Sequence, residues 1–583
     1  MTSISVSGKN WISKKFNSED INFFKTNYFL DEIVAKLLSI RKIKKEEVNF
    51  FLNPLIKNIL PNPYVLKDMD IAIERMEEAI LNKEKIGIFG DYDVDGATSV
   101  SVLGKYFELL NIPFEIYIPD RKSEGFGPNE KGFSELIDLG VKLIFTVDCG
   151  TLSYSPIEFA KKKNTDVIIL DHHQSEIMLP PALAIVNPNR FDDKSELNYL
   201  CAAGVCFMFL IALNKRLREQ NWFLDNTIKE PDLMSVLDLV SLGTVCDVVP
   251  LIGLNRAIVY QGLKILKKKK NLGLKTLIEV CKIEHNITTH DLGYVLGPRI
   301  NAGGRVGKST HGANLLLNQN SKNAFKLSVD LNTYNKERQI LETKLLNKIL
   351  NTDHANSKDP VIILYGENWH EGIIGIIAAR VKEKYNKPTI IISVNGNIGK
   401  GSGRSIQGFD LGSTIIGAVQ STLLVKGGGH KMAAGFTIDM NNIIKFKEYV
   451  FRKFKSINID LTEKKNYYFD TEIAPSAMNI EFFEKINSLA PFGSGNSEPR
   501  FIIRDVKLVN SRIVGEKHIK TVFVGADTTI LKGISFNSVE TDLGSYLLQK
   551  NIKPFDIAGK LSLNEWRGQR NVEFIIDDIS VTK

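Results

Sequence analysis

The chain has 583 residues, 43% of them apolar and 24% charged, and 75 Lys and Arg against 67 Asp and Glu leave a net charge of +8. Such a length and composition exclude a disulfide-stapled miniature, a fibrous repeat and a disordered tail, and suit several globular domains, each with its own core. The mild positive excess permits a nucleic-acid partner without requiring one. In chain order, the opening "MTSISVSGKNWISKKF" lacks the apolar core of a signal peptide, and no apolar run approaches the ~20 residues of a membrane span, so a cytoplasmic protein without membrane contact is expected. Cys149, Cys201, Cys206, Cys246 and Cys281 form no C-x-x-C pair and are odd in number, which favours buried free thiols in a reducing compartment.

Residues 1–60 form a lysine- and asparagine-rich extension, closed by "FLNPLIKNILPNPY" and expected to pack on the core. Over 61–320, "KIGIF", "FEIYIP", "VKLIFTVD", "DVIILDHH" and "LAIVN" alternate with helical patterns, which predicts a largely parallel sheet with crossover helices. The stretch 323–351 has helical periodicity and no Gly or Pro, so a long connecting helix is assigned to 321–352. A second α/β domain, 353–462, carries "PVIILYG", "PTIIISV" and "LLVKGGGHKMAAGFTI". Short alternating runs over 463–583 predict a small β-barrel or sandwich, with the OB-fold as a candidate. The fold class is therefore α/β followed by a β-domain.

"KIGIFGDYDVDGATSV" opens like a calcium loop, but the twelfth position from Asp91 is Val102, where an EF-hand needs a bidentate Glu. The flanks also differ, with a strand before the aspartates and a helix after them, so Asp91, Asp93 and Asp95 sit where open α/β sheets place ligand sites. Asp148 follows "LIFTV", Asp171, His172 and His173 follow "VIIL", and Asp247 in "LVSLGTVCDVVP" is taken as a further strand end. Each aspartate alone would pass for a helix cap or turn former, but ends of one parallel sheet converge on one rim. Carboxylates with imidazole and no thiolate favour Mn²⁺ or Mg²⁺ over structural Zn²⁺. So many carboxylates side by side need cations, which suggests a two-metal site and a metal-dependent phosphohydrolase.

"AGGRVGKS" is one glycine short of a P-loop and follows "GYVLGPRIN" rather than a buried strand, so ATPase chemistry is not expected. "HEGIIG" starts like a zincin but has Ile374 where the second histidine belongs.

"GDYDVDG", "VDCG", "LDHH" and "GTVCDVVP", in this order, resemble the DHH phosphoesterase superfamily. "PDRKSEGFGPN", "GPRINAGGRVG", "WHEGIIGIIAAR", "GKGSGRS" and "GGGHKMAAGF" narrow the resemblance to the RecJ family of bacterial single-strand-specific 5′→3′ DNA exonucleases. The resemblance implies DHH, DHHA1 and OB-like domains around a groove for one strand. It implies two divalent cations, Mn²⁺ or Mg²⁺, held by Asp93, Asp95, Asp148, His172 and Asp247, with Asp91 near the first, and a scissile phosphate contacted by His173. Asp93, Asp95, Asp148 and His173 are thus the expected catalytic set. A 5′ end needs its terminal phosphate gripped, which arginine does bidentately. Ser402 and Arg404, read as lying on a flexible loop, match family residues of that role, together with Arg305 and Arg121. Gly428, Gly429 and His430 match a signature that brings backbone and imidazole to phosphate, and His370 opens a helix suited to an anion. Gly303 or Gly304, and Gly403, stand where relatives commonly carry alanine and are expected to loosen those loops; Cys246 replaces a small residue.

Two rivals remain at this level. A shorter-substrate phosphodiesterase of the same superfamily usually lacks the C-terminal β-domain, whose Trp566, Arg567 and Arg570 suit a longer strand; Phe574 reads better as core. A non-catalytic single-strand binder has no use for a second, open metal position. The substrate expected from the family is single-stranded DNA, cut to 5′-mononucleotides during DNA repair and recombination. A single-strand-binding protein and a helicase are the expected partners of a monomer.

Overall fold

The apolar runs before residue 190 form a parallel sheet ordered Phe114–Tyr117, Lys85–Gly90, Val141–Val147, Asp166–Leu170, Ala184–Val186 in the computed structural model, which describes residues 5–121, 123–125, 127–351, 359–457, 465–549, 553–566 and 568–581. Successive side chains of these strands enter two different cores, because strand side chains alternate between faces. Ile86, Ile88, Phe145 and Ile168 meet helices Val94–Leu109 and Ala202–Glu219 on one face. Phe89, Ile144, Val167 and Ile169 meet Phe133 of helix Glu130–Asp138 and Ile157 of helix Tyr154–Lys162 on the other.

The segment expected to bring Asp247 on a strand is instead the helix Leu237–Cys246, with Asp247 at its C-cap. Its run of Leu237, Leu239, Val240 and Leu242 is buried all round, and a short apolar run of that kind has no periodicity to separate strand from helix. The long helix spans Ser321–Leu350, and the Asn320 side chain accepts from the amides of Lys322 and Asn323 to start it.

The second sheet is mixed, ordered Lys426–His430, Ala433–Asp439, Ile398–Arg404, Thr389–Asn395, Ile362–Glu367, with only the last pair parallel. "GKGSGRS" is therefore not a flexible loop but the central strand. Gly399, Gly401 and Gly403 take the buried face while Lys400, Ser402 and Arg404 take the open one. The glycines make room rather than slack. A Cβ on Gly401 would lie 2.1 Å from the Phe436 ring, and one on Gly403 would lie 2.6 Å from Leu411.

The C-terminal strands Phe501–Val514, His518–Val524, Ile530–Ser535, Gln569–Ser580 and Phe555–Trp566 pair in that order, and the last closes onto the first. This is a closed five-stranded OB-type barrel. Phe574 is buried inside it, as read, and Arg570 is tied to Glu484 and Glu565 at 3.0 and 3.1 Å. Arg567 and the Trp566 side chain lie outside the described residues. The N-terminal extension packs on this barrel. Strand Asn10–Ser13 pairs in parallel with Asn466–Phe469. Phe24, Leu37 and Leu38 of helices Ser18–Tyr28 and Glu32–Ile40 join Phe501, Phe523 and Ile557 in one core.

Candidate active site

Each acidic side chain reaches the rim of the first sheet by a different local device. Asp93 caps the helix that follows its strand, Oδ1 accepting from Gly96 N at 3.1 Å. Gly96 is required because a Cβ there would lie 2.4 Å from the Asp91 carbonyl oxygen; the glycine serves close packing, not a calcium-loop turn. Asp95 points back to the start of the helix Ala202–Glu219 and accepts from the amides of Ala202 and Ala203 at 2.7 and 3.0 Å. Asp148 is held in the left-handed region, φ 59°, just past its strand, a conformation that a non-glycine residue keeps only when its surroundings enforce it.

Three sets of ligand-type atoms lie within 4.8 Å of one another: Asp91, Asp93 and Asp148; Asp95, His172 and Asp247; Asp148, His172 and His173. His172 Nε2 is buried without a hydrogen-bond partner, 3.4 Å from Asp148, 3.6 Å from Asp247 and 3.8 Å from Asp95. A buried ring nitrogen facing three carboxylates just outside hydrogen-bond range is suited to sharing a cation with them. Burial and Asp93 push Asp91 up to about 7, and burial and Asp95 push Asp247 up to about 8. Asp148 and Asp95 are raised in the same direction, first by burial. Oxygen donors with imidazole and no thiolate fit Mn²⁺ or Mg²⁺.

His173 turns elsewhere. Its Nδ1 lies 2.7 Å from Asp171 Oδ1, and the charge of Asp171 holds the imidazole up at about 9 while Asp171 itself is held well below the carboxylate range. Asp171, given no role by the motif, thus favours the charged form of His173 and orients its ring.

A second group of side chains forms around the start of helix Glu371–Tyr385. His370 is its N-cap, Nδ1 accepting from Gly372 N at 3.1 Å. Arg305 Nη1 donates to the Gly372 carbonyl at 3.1 Å, and burial, then Arg121, bring its guanidinium down to about 10. Arg404 donates to its neighbour Gly403 O at 2.8 Å and lies 3.4 Å from Ser402 Oγ; burial lowers its affinity for a proton too. A Cβ on Gly375 would sit 3.0 Å from Ser402 Oγ and 3.2 Å from Arg404 Nη2, so strand and helix meet there. Neither Arg305 nor Arg404 has a carboxylate ion pair among the described residues, which leaves two half-hidden cations in want of an anion.

Arg121 lies over the Tyr92 ring, 5.2 Å from its centroid. Tyr92 packs so tightly against Gly304 that a Cβ there would lie 2.2 Å away. Gly304 therefore seats Tyr92 between the two arginine-bearing segments and loosens nothing; its helix, Gly297–Val306, also disposes of the P-loop resemblance. Sequence patterns missed Tyr92 because an aromatic between two aspartates has no motif value. Gly428 and His430 lie on the edge strand, in register with Ser402 and Arg404 across one intervening strand. His430 and Arg404 therefore share a face of the sheet, ~10 Å apart by strand spacing. Gly429 has φ +148°, and a Cβ on it would strike the Ala433 carbonyl oxygen at 2.4 Å, so glycine is required.

Comparison with known proteins accounts for most of the chain. Residues 85–244 match the DHH family N-terminal domain, 358–456 the DHHA1 domain and 469–578 the RecJ OB domain. The single-stranded-DNA-specific exonuclease RecJ of Salmonella typhimurium is 33% identical over 543 residues, 90% of this chain and 92% of that protein. Its Escherichia coli counterpart is 32% identical over 94% of this chain and 96% of its own length. The crystal structure of RecJ from Thermus thermophilus in complex with Mn²⁺ superimposes with a TM-score of 0.80 at 26% identity, covering 98% of this chain and 79% of that one. The same protein with Mg²⁺ gives a TM-score of 0.73. With its three domains matched in order and one-third identity held along nearly the full length of its relatives, the chain belongs to the RecJ family of single-stranded-DNA-specific exonucleases.

Proposed function

We propose that the chain hydrolyses single-stranded DNA from its 5′ end and releases 5′-mononucleotides. The observation that carries this is the pairing of two sites of opposite charge: a carboxylate cluster built for cations, and arginines with no carboxylate ion pair among the described residues. Asp91, Asp93, Asp95, Asp148, His172 and Asp247 hold two divalent cations, Mn²⁺ or Mg²⁺. When bound, such a pair supplies an ionised water for in-line attack and neutralises the charge that develops on the leaving 3′ oxygen.

The remaining work falls to the chain's own groups. Protonated His173, its charge maintained by Asp171, contacts the scissile phosphate and stabilises negative charge where the transition state develops it. Arg404, Arg305, Ser402 and Arg121 hold the terminal phosphate, and fixing that end sets which phosphodiester meets His173. His370 orders the helix start beneath them, and Gly428, Gly429 and His430 steady the strand further along the sheet. Selectivity for single strands is assigned to steric exclusion of a duplex from the site. The barrel extends the grip, with Arg570 on its rim.

The decisive test uses purified protein, Mn²⁺ or Mg²⁺, and a single strand labelled near its 3′ end beside a blunt duplex. Stepwise shortening of the single strand alone, abolished by EDTA, is the expected result. Consumption of only two- to four-nucleotide fragments would favour a short-oligonucleotide phosphodiesterase, and binding without cleavage a single-strand binder. Among the described residues no helix is long and apolar enough to cross a membrane. The assigned setting is a cytoplasmic monomer in DNA repair and recombination, supplied with single strands by a helicase and a single-strand-binding protein.

A further inference from the structure

Two consecutive histidines at the end of one strand both approach Asp148 but are otherwise held differently: His172 faces Asp95, Asp148 and Asp247, and His173, 4.0 Å from Asp148, lies 2.7 Å from Asp171. Their shared stretch of backbone is outside any strand or helix, so something else must fix it. The amides are held from one side. Asp171 Oδ1 accepts from His172 N at 2.7 Å and His173 N at 3.2 Å, while Asp171 Oδ2 accepts from the amide and hydroxyl of Thr151 at 3.2 and 2.6 Å. The carbonyls are held from the other side by "VNPNR", which follows the next strand of the sheet. Asn189 Nδ2 donates to His172 O at 2.5 Å, and Asn187 Nδ2 donates to His173 O at 2.8 Å. Asn187 is fully buried and spends its second amide hydrogen on Thr151 Oγ at 2.9 Å, while its Oδ1 accepts from Asn189 N at 2.8 Å. One asparagine therefore locks to the other, and each grips one histidine.

We infer that Asn187 and Asn189 are positioning residues of the reaction, separately fixing the two histidines; the inference rests on the two-cation hydrolytic site proposed above. Neither side chain reaches the reacting atoms. Asn189 sets the direction of the imidazole that faces the carboxylates, so it governs cation affinity. Asn187, through the His173 carbonyl and through Thr151 to Asp171, sets the direction of the ring that meets the phosphate, so it governs turnover. The amide is the required group, because only it supplies two donors and an acceptor at one site.

The test compares wild type with N189A, N187A, T151V and T151S by calorimetric titration of Mn²⁺ and, separately, by kcat and KM at saturating Mn²⁺. N189A is expected to weaken Mn²⁺ binding by about 10–100-fold, the range for partners of metal ligands, with kcat within about threefold at saturation. N187A is expected to lower kcat by about 10–100-fold with Mn²⁺ affinity within about threefold. T151V follows N187A, and T151S, which keeps the hydroxyl, restores turnover. Where an alanine variant does not fold, the near-isosteric N189L and N187L carry the same expectations. Folded variants that leave both quantities within about threefold of wild type, or that lower both together, overturn the inference. Wild type that neither binds Mn²⁺ nor cleaves overturns instead the function on which it rests.

Discussion

Two neighbouring regions, an acidic rim on the first sheet and a cationic group spanning the two α/β domains, pose opposite electrostatic problems. The rim of the first sheet crowds carboxylates together, whereas Arg404 on the second sheet and Arg305 on helix Gly297–Val306 have no carboxylate ion pair among the described residues. Each region is destabilised alone, by charge withdrawn from water. On the function proposed above, cations offset the first and a terminal phosphate offsets the second. A substrate end that carries both a terminal phosphate and a phosphodiester satisfies both at once.

That contrast can be broken most severely at the acidic rim. D148A or D93A is expected to lower kcat by more than about 1000-fold, some 4 kcal/mol in the barrier, with a cooperative unfolding transition retained in the presence of EDTA. Residual activity near wild type in both would remove the carboxylates from the chemistry. At the basic site, R404A should cut the preference for a 5′-phosphorylated over a 5′-hydroxyl end by about 10–100-fold, the worth of one charge-assisted hydrogen-bond set, and spare kcat on hydroxyl ends. An unchanged preference would move the phosphate elsewhere. The scaffold beneath Arg404 is tested by G401A, whose methyl meets Phe436. Overpacking should cost about 1–3 kcal/mol in denaturant unfolding and leave Mn²⁺ affinity untouched. The smallest and most discriminating effect is D247N in metal-free protein. Removing a carboxyl whose ionisation is opposed by burial and by its neighbours should raise the melting temperature, while the further rise on adding Mn²⁺ shrinks. A fall in the metal-free melting temperature would mean that Asp247 is held by a partner other than cations.

Legibility followed how each residue's job is written into local pattern. Strands buried on both faces announce themselves, as "VKLIFTV" and "DVIIL" did, and the long helix was visible because nothing in it breaks periodicity. The strand Ile398–Arg404 was hidden because its buried positions are glycines, so its period of two carries no hydropathy. Asp247 was placed on the wrong element for the converse reason, an apolar run with no polar face. The acidic set was legible as composition at element ends. The supports were not: Tyr92 against Gly304, and Asn187 and Asn189 on the histidine carbonyls, are contacts between segments distant in sequence.

The pairing of Asn10–Ser13 with Asn466–Phe469, and of the first two helices with the barrel, has a consequence for synthesis. Phe24, Leu37 and Leu38 leave the ribosome long before Phe501, Phe523 and Ile557, which cover them. At ~5–20 residues per second they wait roughly half a minute or more without their partner, while the two α/β domains fold between. A nascent chain of this protein therefore presents the same greasy helices throughout most of its manufacture, and a holdase that recognises them has a long window in which to act.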